Sequence, residues 1–265
     1  MKNMMKFMLG AAVLAAAGSL AAQEFTFNKA ADWKKSKLVS DGDGVLEIKS
    51  QAMMTSGQKF DVDPEKTYTV KFSVCAPDAV AKKLPWVLGG FAVYDKTGRP
   101  ISCIQDCVVA KTLTEVTADA KKGDSVLMVK DGSKFKKSAA CGVVVGAKED
   151  LSDLPNRNIV ASGIKNIEQK GDAWEITTIR PLVKDVKAGT SVRLHSAGGY
   201  IYTAGSKLVG KNWVTMSGNI KGMRPGSWNG AVWPAGAAKA EFIILANWNG
   251  QKTPVQIKDV TLTIK

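Results

Sequence analysis

The sequence predicts an all-β chain, an antiparallel jelly-roll β-sandwich with a small inserted β-barrel domain. Three observations carry that expectation. No long stretch repeats its apolar residues at the helical period, whereas short alternating or continuous apolar runs recur between turn residues. The runs before about residue 111 and after about residue 196 are long, while those between them are compact and have an apolar set of their own. Hydrophobic residues make up 45% of the chain, enough to build a core and too many for a disordered tail.

Residues 1–22 read as a secretory signal peptide: Lys2 and Lys6 form a positive n-region, Phe7 to Ala17 an apolar h-region, and Ser19, Leu20, Ala21 and Ala22 a small-residue cleavage site. No later run approaches the roughly 20 apolar residues a spanning helix needs, and no cysteine near the cleavage site offers a point for lipid attachment. The expectation is a secreted or periplasmic protein without a membrane span. About 240 residues then remain for one large or two small domains.

Leu46 with Ile48, and Phe60 with Val62, alternate as strands do. Tyr68, Val70, Phe72 and Val74 fall on one face and Thr69, Lys71 and Ser73 on the other, a half-buried strand. Val87 to Tyr94 is the next strand, which the turn at Asp95, Lys96, Thr97 and Gly98 folds back toward Pro100 and Ile101. Near the end, the continuously apolar run Phe242 to Ala246 reads as a central strand, followed by a turn at Asn249 and Gly250. In the closing VQIKDVTLTIK the apolar phase slips from Val255 and Ile257 to Val260, Leu262 and Ile264, which places a bulge at Asp259.

The sandwich is therefore expected from residues 23–111 and 196–265, and the inserted barrel from 112–195. Val126, Val129, Phe135, Val143, Val145, Ile167, Ile176, Leu182 and Val192 are the barrel's own apolar set, and Gln169, Lys170, Gly171 and Asp172 turn one of its hairpins.

The formal net charge is +13, mostly from lysine, since the chain has five arginines. Scattered lysine is a solvated surface more often than a bidentate anion site; attraction to anionic glycans is the functional alternative. Export makes nucleic acid an unexpected partner. Cys75, Cys103, Cys107 and Cys141 allow three disulfide connectivities, with buried free thiols as the alternative. On a straight strand Cys103 and Cys107 would stand roughly 13 Å apart, so bonding them requires a turn or bulge in ISCIQDC. With one histidine in the chain, that spacing makes a poor zinc site.

Four of the seven tryptophans lie between Trp213 and Trp248. Trp213 reads as a core residue on a strand, and Trp33 and Trp174 as packing residues. Trp228 and Trp233 stand in GMRPGSWNGAVWPAG, which is rich in turn residues and lacks an apolar period. Large rings on such a loop are suited to stacking on sugar faces, with Arg224 and Asn229 bonding hydroxyls. Trp86, after Pro85, and Trp248, between Asn247 and Asn249, are further candidates at loop edges. His195, with Arg193, Tyr200 and Tyr202, supplies the residue types of a polysaccharide lyase; a structural junction between barrel and sandwich is the preferred reading. No nucleophile elbow, phosphate loop or metal-binding helix occurs. Non-catalytic glycan binding is thus the expected function, with a polysaccharide-acting enzyme or an envelope adhesion or scaffold protein as alternatives.

The succession KTYTVKFSV, FAVYDKTGRPI, NWVTMSGNIKG, KAEFIILANWN and VQIKDVTLTIK resembles the galactose-binding-like jelly rolls that serve as carbohydrate-binding modules beside bacterial polysaccharide-degrading enzymes. The likeness covers roughly residues 24–111 and 196–265. GDSVLMVKDGSKF and IRPLVKDVKAGTSV resemble small β-barrel modules of phage tail proteins and of some glycan-acting secreted proteins. The first resemblance implies a two-sheet sandwich whose aromatics bind sugar on a concave face or on loops at one end. It also implies a structural calcium between the first and last strands, for which Asp259 and Glu24 are the matching carboxylates; Asp41 and Asp43 in SDGDG are an alternative pair.

Overall fold

The computed structural model describes residues 22–34, 43–265 and, through the backbone, 38–40; the signal-peptide reading and Asp41 fall outside the described residues. In chain order the strands are β1 (Gln23–Thr26), β2 (Leu38–Ser40), β3 (Leu46–Ile48), β4 (Ala52–Asp61), β5 (Tyr68–Cys75), β6 (Trp86–Tyr94) and β7 (Pro100–Ile101). A short helical turn, α1 (Cys103–Asp106), follows. Then come β8 (Thr114–Glu115), β9 (Val126–Val129), β10 (Ser138–Val145), β11 (Ile159–Lys170), β12 (Ala173–Thr178) and β13 (Ser191–Ser196). β14 (Ile201–Leu208), β15 (Val214–Ile220), β16 (Lys239–Ala246) and β17 (Val255–Ile264) complete the chain.

These strands form three antiparallel sheets. The first has the order β15-β5-β17-β3-β2 with β1 added to β17; the second has the order β14-β6-β16-β4 with β7 added to β6. The two pack face to face as a sandwich. Their shared core takes Tyr68, Val70, Phe72 and Val74 from β5 and Ile257, Leu262 and Ile264 from β17, and sets them against Phe91 and Val93 of β6 and Phe242 and Ile244 of β16. The alternation read on β5 is the reason: one face of that strand is apolar throughout. β16 lies between two partners, and its outward-facing Ile243 and Leu245 are also fully buried, which explains its unbroken apolar run. At Asp259 the ladder between β17 and β5 shifts register and the backbone φ is 54°, which is the bulge that the phase slip implies.

The third sheet, order β8-β13-β10-β11-β12-β9, contains only strands between Thr114 and Ser196. Its strands enclose a separate core that includes Val129, Phe135, Val143, Ile176, Leu182 and Val192. Val145 and Ile167 pack at its margin, whereas Val126 is exposed. Among the described residues no continuous ladder closes this sheet into a barrel; its edge strands β8 and β9 meet at one bridge, Val116 to Val129, flanked by Thr117 N–H donating to Met128 O and Lys130 N–H donating to Glu115 O.

Trp33 is buried in the sandwich core and Trp174 is partly buried against the third sheet's core. Trp213 departs from expectation: it is 40% exposed, just before β15, with the Lys258 ammonium 4.6 Å from its ring centre. The last residues before a strand lie outside its alternation, and a cation over the face suits an indole at the surface.

Candidate functional site

The loop between β15 and β16 folds back over the molecule instead of projecting from it. Trp233 is fully buried, edge-on to Tyr68 at 5.1 Å and tilted against Phe91 at 5.1 Å. Its backbone N–H donates to Gly222 O, and its carbonyl accepts from Arg224 N. Trp228 is half-buried, packs on the same core, and donates from Nε1 to Gly199 O at 3.1 Å. Asn229 uses its amide within the loop, donating to Ser227 Oγ and accepting from Ala231 N. Trp233 therefore cannot offer a face to a ligand, Trp228 is engaged in holding the loop down, and Asn229, though exposed, spends its amide on the loop's own turn. Arg224 is exposed at the loop's start. Glycine spacing and the lack of a period mark a loop in sequence, but they do not tell which side of it meets the core.

Trp86 and Trp248 are placed differently. They are 37% and 38% exposed, and they are tied together by the Trp248 N–H, which donates to Trp86 O at 3.0 Å. Asn249 fixes the pair from the side: its Oδ1 accepts from Trp86 N at 3.0 Å and its Nδ2 donates to Leu84 O at 2.9 Å. The turn that carries Trp248 closes through Gly250 N to Asn247 O, with Asn247 at φ 54° and its Nδ2 bonded to Thr253 O. Directly opposite Trp86 across the ladder stands Leu208, also exposed. Along the same outer side of the second sheet, Leu88, Ile243 and Leu245 form a small buried cluster, with Tyr200 and Tyr202 packed on it. Chain neighbours of the two tryptophans, Lys83 on one side and Gly250, Gln251, Lys252 and Thr253 on the other, line with Asp78 a recess of ≈ 470 Å³ to which the indoles themselves do not contribute.

A third group of polar residues sits where the sheets adjoin. Arg193 and His195 lie on β13, one residue apart and on one face, as strand alternation requires. Arg193 donates from Nη2 to Asp153 Oδ2 at 2.8 Å, from Nη1 to Lys148 O, and from Nε to His195 Nε2 at 3.0 Å. With Nε2 accepting, His195 Nδ1 is the protonated nitrogen and donates to Ile104 O at 2.9 Å. Burial first, and the adjacent Arg193 charge second, push the imidazole down to about 4, so it is neutral at pH 7. Fully buried and with both ring nitrogens engaged, His195 has the environment of a structural junction. Asp106 is buried close by, accepting from Ala235 N at 3.2 Å, and burial raises its carboxyl to about 7.

α1 places Cys103 and Cys107 on one side of a helical turn. Ser102 and Gln105 build that turn, the Ser102 N–H donating to Gln105 Oε1 at 3.0 Å. This is the S-x-x-Q capping pattern, the one sequence signal that would have revealed a helix here. All four cysteines are thiols. The two carboxylates matched to calcium do not converge: Glu24 pairs with Thr263, four residues beyond Asp259 on β17, which is about 13 Å of strand. Among the described residues no cluster of three or more His, Cys, Asp or Glu has a metal-binding arrangement, and no helix is long and apolar enough to cross a membrane. Comparison of the chain with protein-family models, curated proteins and solved structures finds no match among any of them.

Proposed function

We propose that this is an exported carbohydrate-binding protein of the galactose-binding-like kind, and that the sugar lies on Trp86 and Trp248. The observation that carries the reading is a pair of exposed tryptophans whose backbones are hydrogen-bonded to each other, in segments whose neighbouring residues line a polar recess. A pyranose has a weakly apolar face and a rim of hydroxyls, so it needs a flat apolar surface with donors and acceptors at its edge. The indoles and Leu208 supply the first, while Asp78, Lys83, Gln251 and Thr253 supply the second. A backbone fixed by main-chain hydrogen bonds has little left to order on binding, which favours affinity. The loop tryptophans Trp228 and Trp233 act as supports in this reading.

Affinity electrophoresis through neutral and anionic polysaccharides, followed by a glycan array, tests it. Retention on at least one polysaccharide is expected. Trp86→Ala and Trp248→Ala should each weaken it by roughly tenfold, about 1–2 kcal/mol for a buried aromatic anchor, while Trp213→Ala leaves it unchanged. Lack of retention on every polysaccharide, or equal effects of all three substitutions, would overturn the proposal.

A further inference from the structure

Two of the four thiols differ from the others in ways that glycan binding does not use. Cys75 and Cys141 lie on strands of different sheets, are buried, and donate to nearby oxygens, Gln256 Oε1 at 3.7 Å and Ser138 O at 3.0 Å. Burial raises both above the ordinary thiol range, the condition of an inert thiol. Cys103 opens α1 and Cys107 is the residue that ends it, four positions on, with Cys107 N–H donating to Cys103 O at 2.7 Å. That spacing puts their Cα atoms about 6 Å apart, inside the range a disulfide spans, and each thiol shifts the titration of the other in the opposite sense.

Their surroundings divide the roles. Cys103 is buried, its thiol donating to Ser196 O at 3.4 Å, with Gly198 directly over its sulfur: a Cβ there would stand 3.1 Å from Sγ. Cys107 is partly open to solvent. The neighbouring Cys103 side chain first, then Ser196 and the Trp228 backbone N–H, favour the anion on its sulfur and outweigh burial to bring Cys107 down to about 6, while the Cys107 sulfur and burial hold Cys103 high.

We propose that Cys103 and Cys107 form a reversible dithiol–disulfide couple that exchanges with low-molecular-weight disulfides, Cys107 attacking and Cys103 resolving. In the first step the Cys107 thiolate forms a bond to one sulfur of the small disulfide. The old S–S bond breaks, and one small thiolate leaves and takes a proton from water. In the second step Cys103 gives its proton to water and attacks the Cys107 sulfur, expelling the second small thiolate. Counted from the Cys107 thiolate and the Cys103 thiol, the protein pair loses two electrons and one proton; the second small thiolate also takes a proton from water, so the small disulfide ends as two thiols.

The test uses the reduced full-length protein. Iodoacetamide labelling across pH 5–8 with peptide mapping should show Cys107 reacting with a half-maximal rate near pH 6, with Cys75 and Cys141 unlabelled while the chain is folded. Incubation with oxidised glutathione should yield a Cys103–Cys107 cross-link without retained glutathione, and excess reduced glutathione should reverse it. The Cys103→Ser variant should stop at one glutathione bound to Cys107. Labelling of Cys107 with the pH dependence of an ordinary thiol, or wild-type protein that keeps glutathione and forms no cross-link, would overturn the proposal. Both of those readouts come from the wild type and do not depend on the variant folding.

Discussion

Asp106 and His195 are buried ionisable side chains whose shifts pull stability in opposite directions over one pH window. Folding holds the Asp106 proton up to about 7, whereas an unfolded aspartate releases it near 3.9. The unfolded state thus binds fewer protons between roughly pH 4 and 7, and this residue makes stability fall as pH rises through that range. His195 is depressed to about 4, whereas an unfolded histidine binds its proton near 6.5. The unfolded state then binds more protons between roughly pH 4 and 6.5, and stability falls as pH drops through that range. Asp106→Asn keeps an acceptor for Ala235 N–H and cannot ionise. Urea unfolding should find it more stable than wild type at pH 7.5 by roughly 2–4 kcal/mol, with the gain gone at pH 4. Parallel stability profiles for the two proteins would show that Asp106 is not held protonated.

At the scale of elements, the β15–β16 loop is fastened at several points. Trp233 is its plug in the sandwich core, and Asp106 holds Ala235 N. Trp233→Ala should cost roughly 3–5 kcal/mol, the range for removing a large buried aromatic, read from denaturant midpoints. A change below 1 kcal/mol would mean that the indole is not a structural anchor. The bulge in β17 is a local matter by comparison. Asp259 sits at φ 54°, a region open to glycine and closed to β-branched residues. Asp259→Gly should be nearly neutral, and Asp259→Val should lower stability by about 1–2 kcal/mol; equal melting temperatures for the two variants would refute that assignment. The bulge was legible because a strand's period is two, so a phase slip must appear in the apolar pattern. The α1 turn was not read, because a four-residue helix is too short to show a period and its capping residues are common in loops.

For the molecule as a whole, the question is what joins the sandwich to the third sheet. Arg157 of the segment before β11 donates to Asp95 Oδ2 at 2.9 Å in the β6–β7 hairpin, at one side of a cleft of ≈ 690 Å³. The Thr97 hydroxyl, with Thr97 and Arg99 backbone N–H groups, keeps the Asp95 carboxyl well below the usual range. Deeper in, the Arg193–Asp153 pair is almost wholly buried, while Arg157 remains partly exposed. The two should therefore differ in consequence. Asp153→Ala leaves a guanidinium buried without its counter-charge and should cost roughly 3–5 kcal/mol, whereas Arg157→Ala should cost about 0–1 kcal/mol. Chemical denaturation of both variants checks the order, and a larger loss at Arg157 would reverse it.

The sequence by itself determined the all-β class, most of the strands, the hairpin at Asp95 to Gly98 and the slip at Asp259. Each follows from a period of two and from turn residues, which are local properties of a chain. Only the tertiary structure decided which tryptophans face outward and which cysteines meet. Trp233 and Trp248 both stand among turn residues, yet one is inserted between Tyr68 and Phe91 while the other rests on the rim beside Trp86. Local composition does not record the direction in which a loop folds, because that direction depends on where distant strands leave room for a ring. The nearness of Cys103 and Cys107 likewise depends on one helical turn placed between β7 and the third sheet, against β13, where the register of remote strands brings Ser196 and Trp228 to the sulfur.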